Sequence, residues 1–205
     1  MYGNGSTERR DEGLSDRGVA LVEKTTQVGM AVDTSHCGDR STLDAFEVSR
    51  QPILITHSNV RALNQRHPSC KADEAIRACG KAGSVMGITG GRNVVKGLEP
   101  TTIEDVLDQC DNVVKLIGVE HVGVGSAVDL DGYDDLPPER YRQLKACYKG
   151  SYAIRDKIDI EGIDHPKRML DLTEGLIRRR YTDAQIAGIL GGNLIRVLGE
   201  IWRKA

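Results

Sequence analysis

The chain has 205 residues, with 28 Lys and Arg against 30 Asp and Glu and a formal net charge of −2. That balance gives no electrostatic case for nucleic acid or for an anionic membrane surface, and no apolar run approaches the ~20 residues of a spanning helix. The polar Met1–Arg10 stretch lacks the apolar core of a signal peptide, and five cysteines with no CxxC pair suit reduced thiols in a cytosol rather than a disulfide scaffold.

Hydrophobic residues make up 39% of the chain but aromatics only 4%, so the core must be aliphatic. The length suits one domain, 1–205. Met1 to Gly13 reads as a solvated, Gly-rich loop with a mixed charge run. Ser15 caps a helix to about Gln27, with Val19, Val22 and Thr26 at helical spacing. A short, mostly apolar strand follows at 30–35, of the kind covered on both faces. Ser41-Thr42-Leu43-Asp44 reads as a capping box for a helix to about Arg50. Pro52 opens a second strand, 52–57, where its missing N–H does least harm. Helical spacing recurs around Val60 and Leu63 until His67-Pro68 breaks it. Asp73 starts the next helix, with Ile76 and Cys79 on its buried side and Gly80 as C-cap. A third strand covers 83–89, and Gly90-Gly91 turns into a loop. Thr101-Thr102-Ile103-Glu104 is a capping box for a helix through Leu116. The fourth strand is 121–126, followed by an Asp- and Gly-rich loop to Asp135. Helical material then covers 138–204, with breaks near Gly150 and Gly162, a capping box at Thr182–Gln185, and a split at Gly191-Gly192. Strands alternating with helices predict an α/β fold of parallel βα units. Four strands are half of the eight that close a TIM-like barrel.

Two histidines stand out. His36 ends the first strand and His57 the second. Parallel neighbours lie ~4.8 Å apart, so imidazoles at matching heights can share one Zn²⁺ with Zn–N of about 2.0–2.1 Å; singly, each reads as structural. Asp33 is either a carboxylate orienting a ligand histidine or a buried hydrogen-bond acceptor. His121 begins the fourth strand, at the other end of the sheet, and reads as structural. His67 and His165 precede prolines at helix boundaries. Asp129, Asp131, Asp134 and Asp135 follow the fourth strand, either as a hydrophilic loop or with one carboxylate as base near a metal-bound water. Gly90-Gly91 lacks the Lys-Ser/Thr of a phosphate loop.

The run Gly29-Met30-Ala31-Val32-Asp33-Thr34-Ser35-His36 resembles the "G-M-x-V-D-x-S-H" strand of the membrane (renal-type) dipeptidase family. Pro52-Ile53-Leu54-Ile55-Thr56-His57-Ser58 resembles its "P-x-x-x-[ST]-H-S" strand. Glu120–Ser126, Leu130-Asp131-Gly132 and Ile189–Leu198 are similar as well. The resemblance implies a β/α barrel with a two-zinc centre that hydrolyses dipeptides through a bridging hydroxide, with His36 and His57 ligating one zinc. Three departures follow from it. The family's His-x-Asp and bridging Glu come from earlier strands that this chain does not contain. Ala127 stands where the family carries a proton-handling Asp. Ser69 stands where it carries a substrate-binding Arg, with Arg66 nearby as a substitute. The expectation is therefore a cytoplasmic, zinc-dependent dipeptidase-like protein that forms the second half of a barrel and is weak or inactive alone. The alternative is a non-catalytic half-barrel module joined to a separate first half or a second copy. Half a barrel should expose its edges at 30–35 and 121–126, and an inner face including Val32, Leu54, Met86 and Val124.

Overall fold

In the computed structural model of the chain, residues 2–65, 67–126, 136–147 and 159–203 are described. The centre is a three-stranded sheet in the order β1-β2-β3, with β1 Ile55–Ser58, β2 Met86–Thr89 and β3 Val122–Ser126. Both pairings are parallel, aligning Ile55 with Met86 and Met86 with Val122.

Alternation along these strands divides the side chains between two layers. Ile55, Met86, Ile88 and Val122 enter the main core with Ile76, Leu107, Val113 and Leu176 from the surrounding helices. Leu54 and Val85 point the other way, against Val197 and Ile201 of the last helix. This corrects the expected inner face. Met86 and Val124 pack with the helical layer, not beside Leu54, and Leu54 is 4% exposed because the last helix covers it.

The sheet is tightly curled, and two glycines allow it. A Cβ on Gly87 would lie 2.1 Å from the Thr56 carbonyl oxygen, and one on Gly125 would lie 2.9 Å from the His57 Cα. β1 and β3 are not hydrogen-bonded neighbours, yet they approach one another across Gly87.

The first expected strand, 30–35, is reduced to one parallel bridge between Asp33 and Leu54. Leu54 N donates to Val32 O at 2.8 Å, and Thr34 N donates to Leu54 O at 2.9 Å. Ser35 N then turns back to Asp33 Oδ1 at 3.1 Å, which ends the pairing. The other strands start later than expected for similar reasons. Ile53 N is taken by Ser84 Oγ at 3.1 Å, Gly83 turns the chain at φ +71, and His121 lies in a 3₁₀ turn, Val119–His121.

The helices are α1 Asp16–Gln27, α2 Asp39–Val48, α3 Asp73–Lys81, α4 Arg92–Val95, α5 Ile103–Ile117, α6 Pro138–Cys147, α7 Arg168–Arg178, α8 Asp183–Ala187 and α9 Asn193–Arg203. Ser15 caps α1 as expected, its Oγ accepting from Gly18 N at 3.1 Å, and the Thr182–Gln185 box caps α8. Elsewhere the ends differ. α2 starts at Asp39, ahead of the expected Ser41 box, because Asp11 caps it from a distance: its carboxylate accepts from Arg40 N at 2.6 Å and from Ser41 Oγ at 2.9 Å. The α5 box is Thr102 with Asp105, one residue later than expected, since Thr101 Oγ1 donates to Leu98 O at 2.9 Å. Gly80 lies inside α3 against Ile117, where a methyl group would be 2.7 Å from that side chain. Val60 to Leu63 is a turn rather than a helix, and α4 occupies the expected loop after Gly91. α8 and α9 are joined by a wide helical turn, Gly188–Gly192, whose Gly191 departs from helical geometry. Asn193 secures this junction, its Nδ2 donating to Val119 O and Val122 O at 2.8 Å each.

The N-terminal stretch is a loop whose charged residues Glu8, Arg9, Arg10 and Glu12 are exposed as expected, but it is fastened to the fold at two points. Gly5 forms an antiparallel bridge with Cys37, Ser6 N donates to His36 O at 2.8 Å, and Gly38 N donates to Asn4 O at 2.9 Å. Its charge run had hidden one carboxylate, Asp11, whose acceptors are needed inside the fold. Among the described residues no helix is long and apolar enough to cross a membrane.

Candidate metal centre

His36 lies on the turn that ends the Asp33 bridge, and His57 lies in β1. Their Nε2 atoms face each other at 2.9 Å, with ring centroids 4.8 Å apart and planes inclined by 63°. The two strand-end histidines therefore meet at one point.

Asp33 joins the segments that carry them. Its Oδ1 accepts from Ser35 Oγ at 2.6 Å and Thr56 N at 2.9 Å, and its Oδ2 accepts from Thr56 Oγ1 at 2.8 Å. Ser35 Oγ in turn accepts from His57 N at 3.0 Å. Burial raises the Asp33 pKa, but the hydrogen bonds from Ser35 and Thr56 outweigh it and hold the carboxyl below its usual range. Asp33 is thus an ionised acceptor that reaches His57 through a threonine.

This arrangement selects a tautomer. Thr56 gives its proton to Asp33, so its oxygen accepts from His57 Nδ1, 2.8 Å away. The His57 proton then sits on Nδ1, and the Nε2 lone pair points at His36. Ser69 Oγ lies 3.4 Å from His36 Nδ1 and 3.0 Å from Ser6 Oγ. Burial first, then the neighbouring His57 and Lys71, lower the His36 pKa against the opposing pull of Asp33. A neutral imidazole is the form that binds a metal.

The donor set fits two positions of a four-coordinate ion. An Nε2 separation of 2.9 Å is short of the roughly 3.3 Å that two tetrahedral Zn–N bonds span, so a few tenths of an ångström of opening suffices. Among the described residues no group of three or more His, Cys, Asp or Glu side chains converges to hold a metal.

His67, expected only as a helix boundary, is 2% exposed. Its Nδ1 accepts from Ser69 N at 3.2 Å. Burial, with a smaller push from His36, takes its pKa down to about 4. His121 is structural, donating from Nδ1 to Ser84 O at 2.7 Å, and His165 faces Asp171 at 2.9 Å. Arg66, Ala127, Asp129, Asp131, Asp134 and Asp135 lie outside the described residues. Sequence reasoning missed Ser35, Thr56 and Lys71. Ser35 and Thr56 each immediately precede a histidine, a legible signal. Lys71, 1% exposed and pushed by burial down to about 8, carried none, because its contacts are distant in the chain.

A curled parallel sheet wrapped by helices defines an α/β protein of the barrel type, with two imidazoles facing each other on its first two segments. A model of the membrane dipeptidase family, peptidase family M19, matches residues 1–146 and 153–205, and the chain belongs to that family. An uncharacterised dipeptidase of Schizosaccharomyces pombe is 27% identical over 197 residues, covering 95% of this chain and 40% of that protein. Dipeptidase 3 of Rattus norvegicus is 25% identical, covering 92% and 33%. Among solved structures, an amidohydrolase from Pseudomonas aeruginosa superposes with a TM-score of 0.83 at 24% identity, covering 99% of this chain and 62% of that one. A metallopeptidase from Rhodobacter sphaeroides, liganded with a phosphinate mimic of the dipeptide L-Ala-D-Ala, gives 0.74 at 19%, covering 98% and 50%. These structures share the fold. The chain spans less than half the length of the curated relatives named here.

Proposed function

We propose that this chain supplies the two-histidine part of a zinc-dependent dipeptidase centre, with His36 and His57 holding one metal. The observation that carries the reading is the facing pair of Nε2 atoms, with the His57 tautomer set by Thr56 and Asp33. Family membership supports a metal-dependent hydrolase of dipeptides. When bound, such a metal supplies an activated water and polarises the scissile carbonyl. The chain's own residues orient the two imidazoles, and burial of His36 favours its neutral form. Two imidazoles complete half of a four-coordinate shell, so binding by this chain alone is weak. With Ala127 where the family resemblance places a proton-handling Asp, turnover by the isolated chain should fall ~10²–10⁴-fold below a complete centre.

Assembly is the second reading. Among the described residues the 30–35 segment pairs with no strand on the side away from Leu54, so that edge can accept another strand. A separate first half or a second copy can complete both edge and shell. The test is metal analysis and Zn²⁺ titration of the purified chain and of His36→Ala/His57→Ala, with native mass and dipeptide hydrolysis measured alongside. The proposal expects weak binding that the double substitution abolishes, and little hydrolysis. Equal binding by both proteins removes the metal site. Metal-dependent hydrolysis at a full rate by a monomer removes the incomplete-centre reading.

A further inference from the structure

We propose that Lys71 is a positioning residue for the His36–His57 pair, clamping the His36 turn to the segment that follows His57. This rests on the reading of that pair as a metal site, but its geometry stands apart from any metal. The Lys71 side chain is buried, and its Nζ donates to Thr34 O at 2.7 Å, Cys37 O at 2.9 Å and Thr42 Oγ1 at 3.1 Å. Those two carbonyls bracket Ser35 and His36. The main chain of Lys71 is fastened elsewhere: its N–H donates to Asn59 O at 2.8 Å, and its carbonyl accepts from Arg61 N at 2.9 Å. Asn59 is two residues beyond His57. One residue therefore holds both histidine-bearing segments, one through its backbone and the other through its ammonium.

The chemistry favours this over a role in stability alone. A buried ammonium is costly without a counter-charge, and here every hydrogen-bond partner is neutral. The nearby carboxylates are engaged elsewhere: Asp39 with Arg61, and Asp33 with Ser35 and Thr56. Three donors on a compact head meet three acceptors, which a planar guanidinium cannot match. An apolar residue of the same length would fill the space, yet would release the turn.

The test compares the full chain with Lys71→Met, Lys71→Arg and Thr42→Val. The deciding readout is the nuclear Overhauser effect between the His36 and His57 rings in metal-free protein, and the second is Co²⁺ affinity from its visible absorption. Lys71→Met is expected to remain cooperatively folded, lose the ring–ring signal and bind Co²⁺ at least tenfold more weakly. Lys71→Arg should fail to restore either property, and Thr42→Val should weaken Co²⁺ binding about threefold. Retention of the ring–ring signal in Lys71→Met overturns the assignment, whatever the affinity does. If wild type binds no Co²⁺, the metal reading fails and the ring–ring signal alone decides the role of Lys71. If Lys71→Met does not fold, Thr42→Val decides: a weakened ring–ring signal supports the clamp, and an unchanged one overturns it.

Discussion

Gly87→Ala tests whether the curl of the sheet depends on an absent side chain. The added Cβ would sit 2.1 Å from the Thr56 carbonyl oxygen and 3.0 Å from the Gly125 Cα and N, all backbone atoms. Ordinary overpacking against side chains that can rotate costs ~1–3 kcal/mol. Backbone on both sides cannot rotate away, so at least about 3 kcal/mol is expected. With a urea slope of roughly 2 kcal/mol/M, the unfolding midpoint should drop by about 1.5 M. Gly83→Ala provides the contrast. Nothing lies within 4 Å of its added Cβ, and its φ is +71, so the cost is only the ~1–2 kcal/mol of a left-handed backbone. The assay is urea unfolding of wild type and both variants, followed by Trp202 fluorescence and circular dichroism. A Gly87→Ala protein within about 1 kcal/mol of wild type, or more stable than Gly83→Ala, would falsify the account of the curl.

Three further outcomes follow from the site and its supports. The folded His67 pKa is depressed from 6.5 to about 4, so the unfolded chain binds more protons between those values and stability falls as pH falls through that window. The His67 share of the loss between pH 7 and pH 5 should be about 2 kcal/mol, and the loss in His67→Gln should be smaller than in wild type by that amount when unfolding midpoints are compared at the two pH values. Thr56→Val removes the acceptor for His57 Nδ1–H; nitrogen-15 spectra should show the Nε2–H tautomer gaining population, and metal affinity should fall roughly tenfold, whereas an unchanged tautomer would contradict the hydrogen-bond assignment. Asn193→Ala deletes two buried bonds, to Val119 O and Val122 O, and should cost about 2–3 kcal/mol in urea unfolding; a cost under about half a kilocalorie would show that α9 is held by packing alone.

The elements legible in the sequence were those whose signals are local. Ser15 and Thr182 cap the helices that follow them, and three of the four apolar runs hold the paired strands, because burial on both faces demands apolar side chains there. Signals that depend on distant partners misled. Ser41 looked like a cap, but the capping carboxylate comes from Asp11. The 30–35 run looked like a strand, yet Asp33 used its side chain to turn the chain. The inner face was misassigned because the register places Met86 and Leu54 on opposite sides. The histidine pair was legible because each residue ends an apolar run. Lys71 was not, because a lysine in a polar stretch reads as exposed until the turn it fills is known.

Docking of residues 4–6 onto residues 36–38 bears on the order in which the chain reaches its native state. The His36 turn is held by Ser6 N on one side and by Lys71 on the other, and α2 behind it is held by Asp11. None of these ties forms within a local stretch of chain. Closing such loops loses entropy before any contact is gained, so the turn carrying His36 should be the last part of the site to order. It should also be among the first to open in native-state hydrogen exchange, while β2, flanked on both sides, stays protected. The facing geometry of the two histidines would then be the product of late consolidation, set after the sheet that carries His57 is in place.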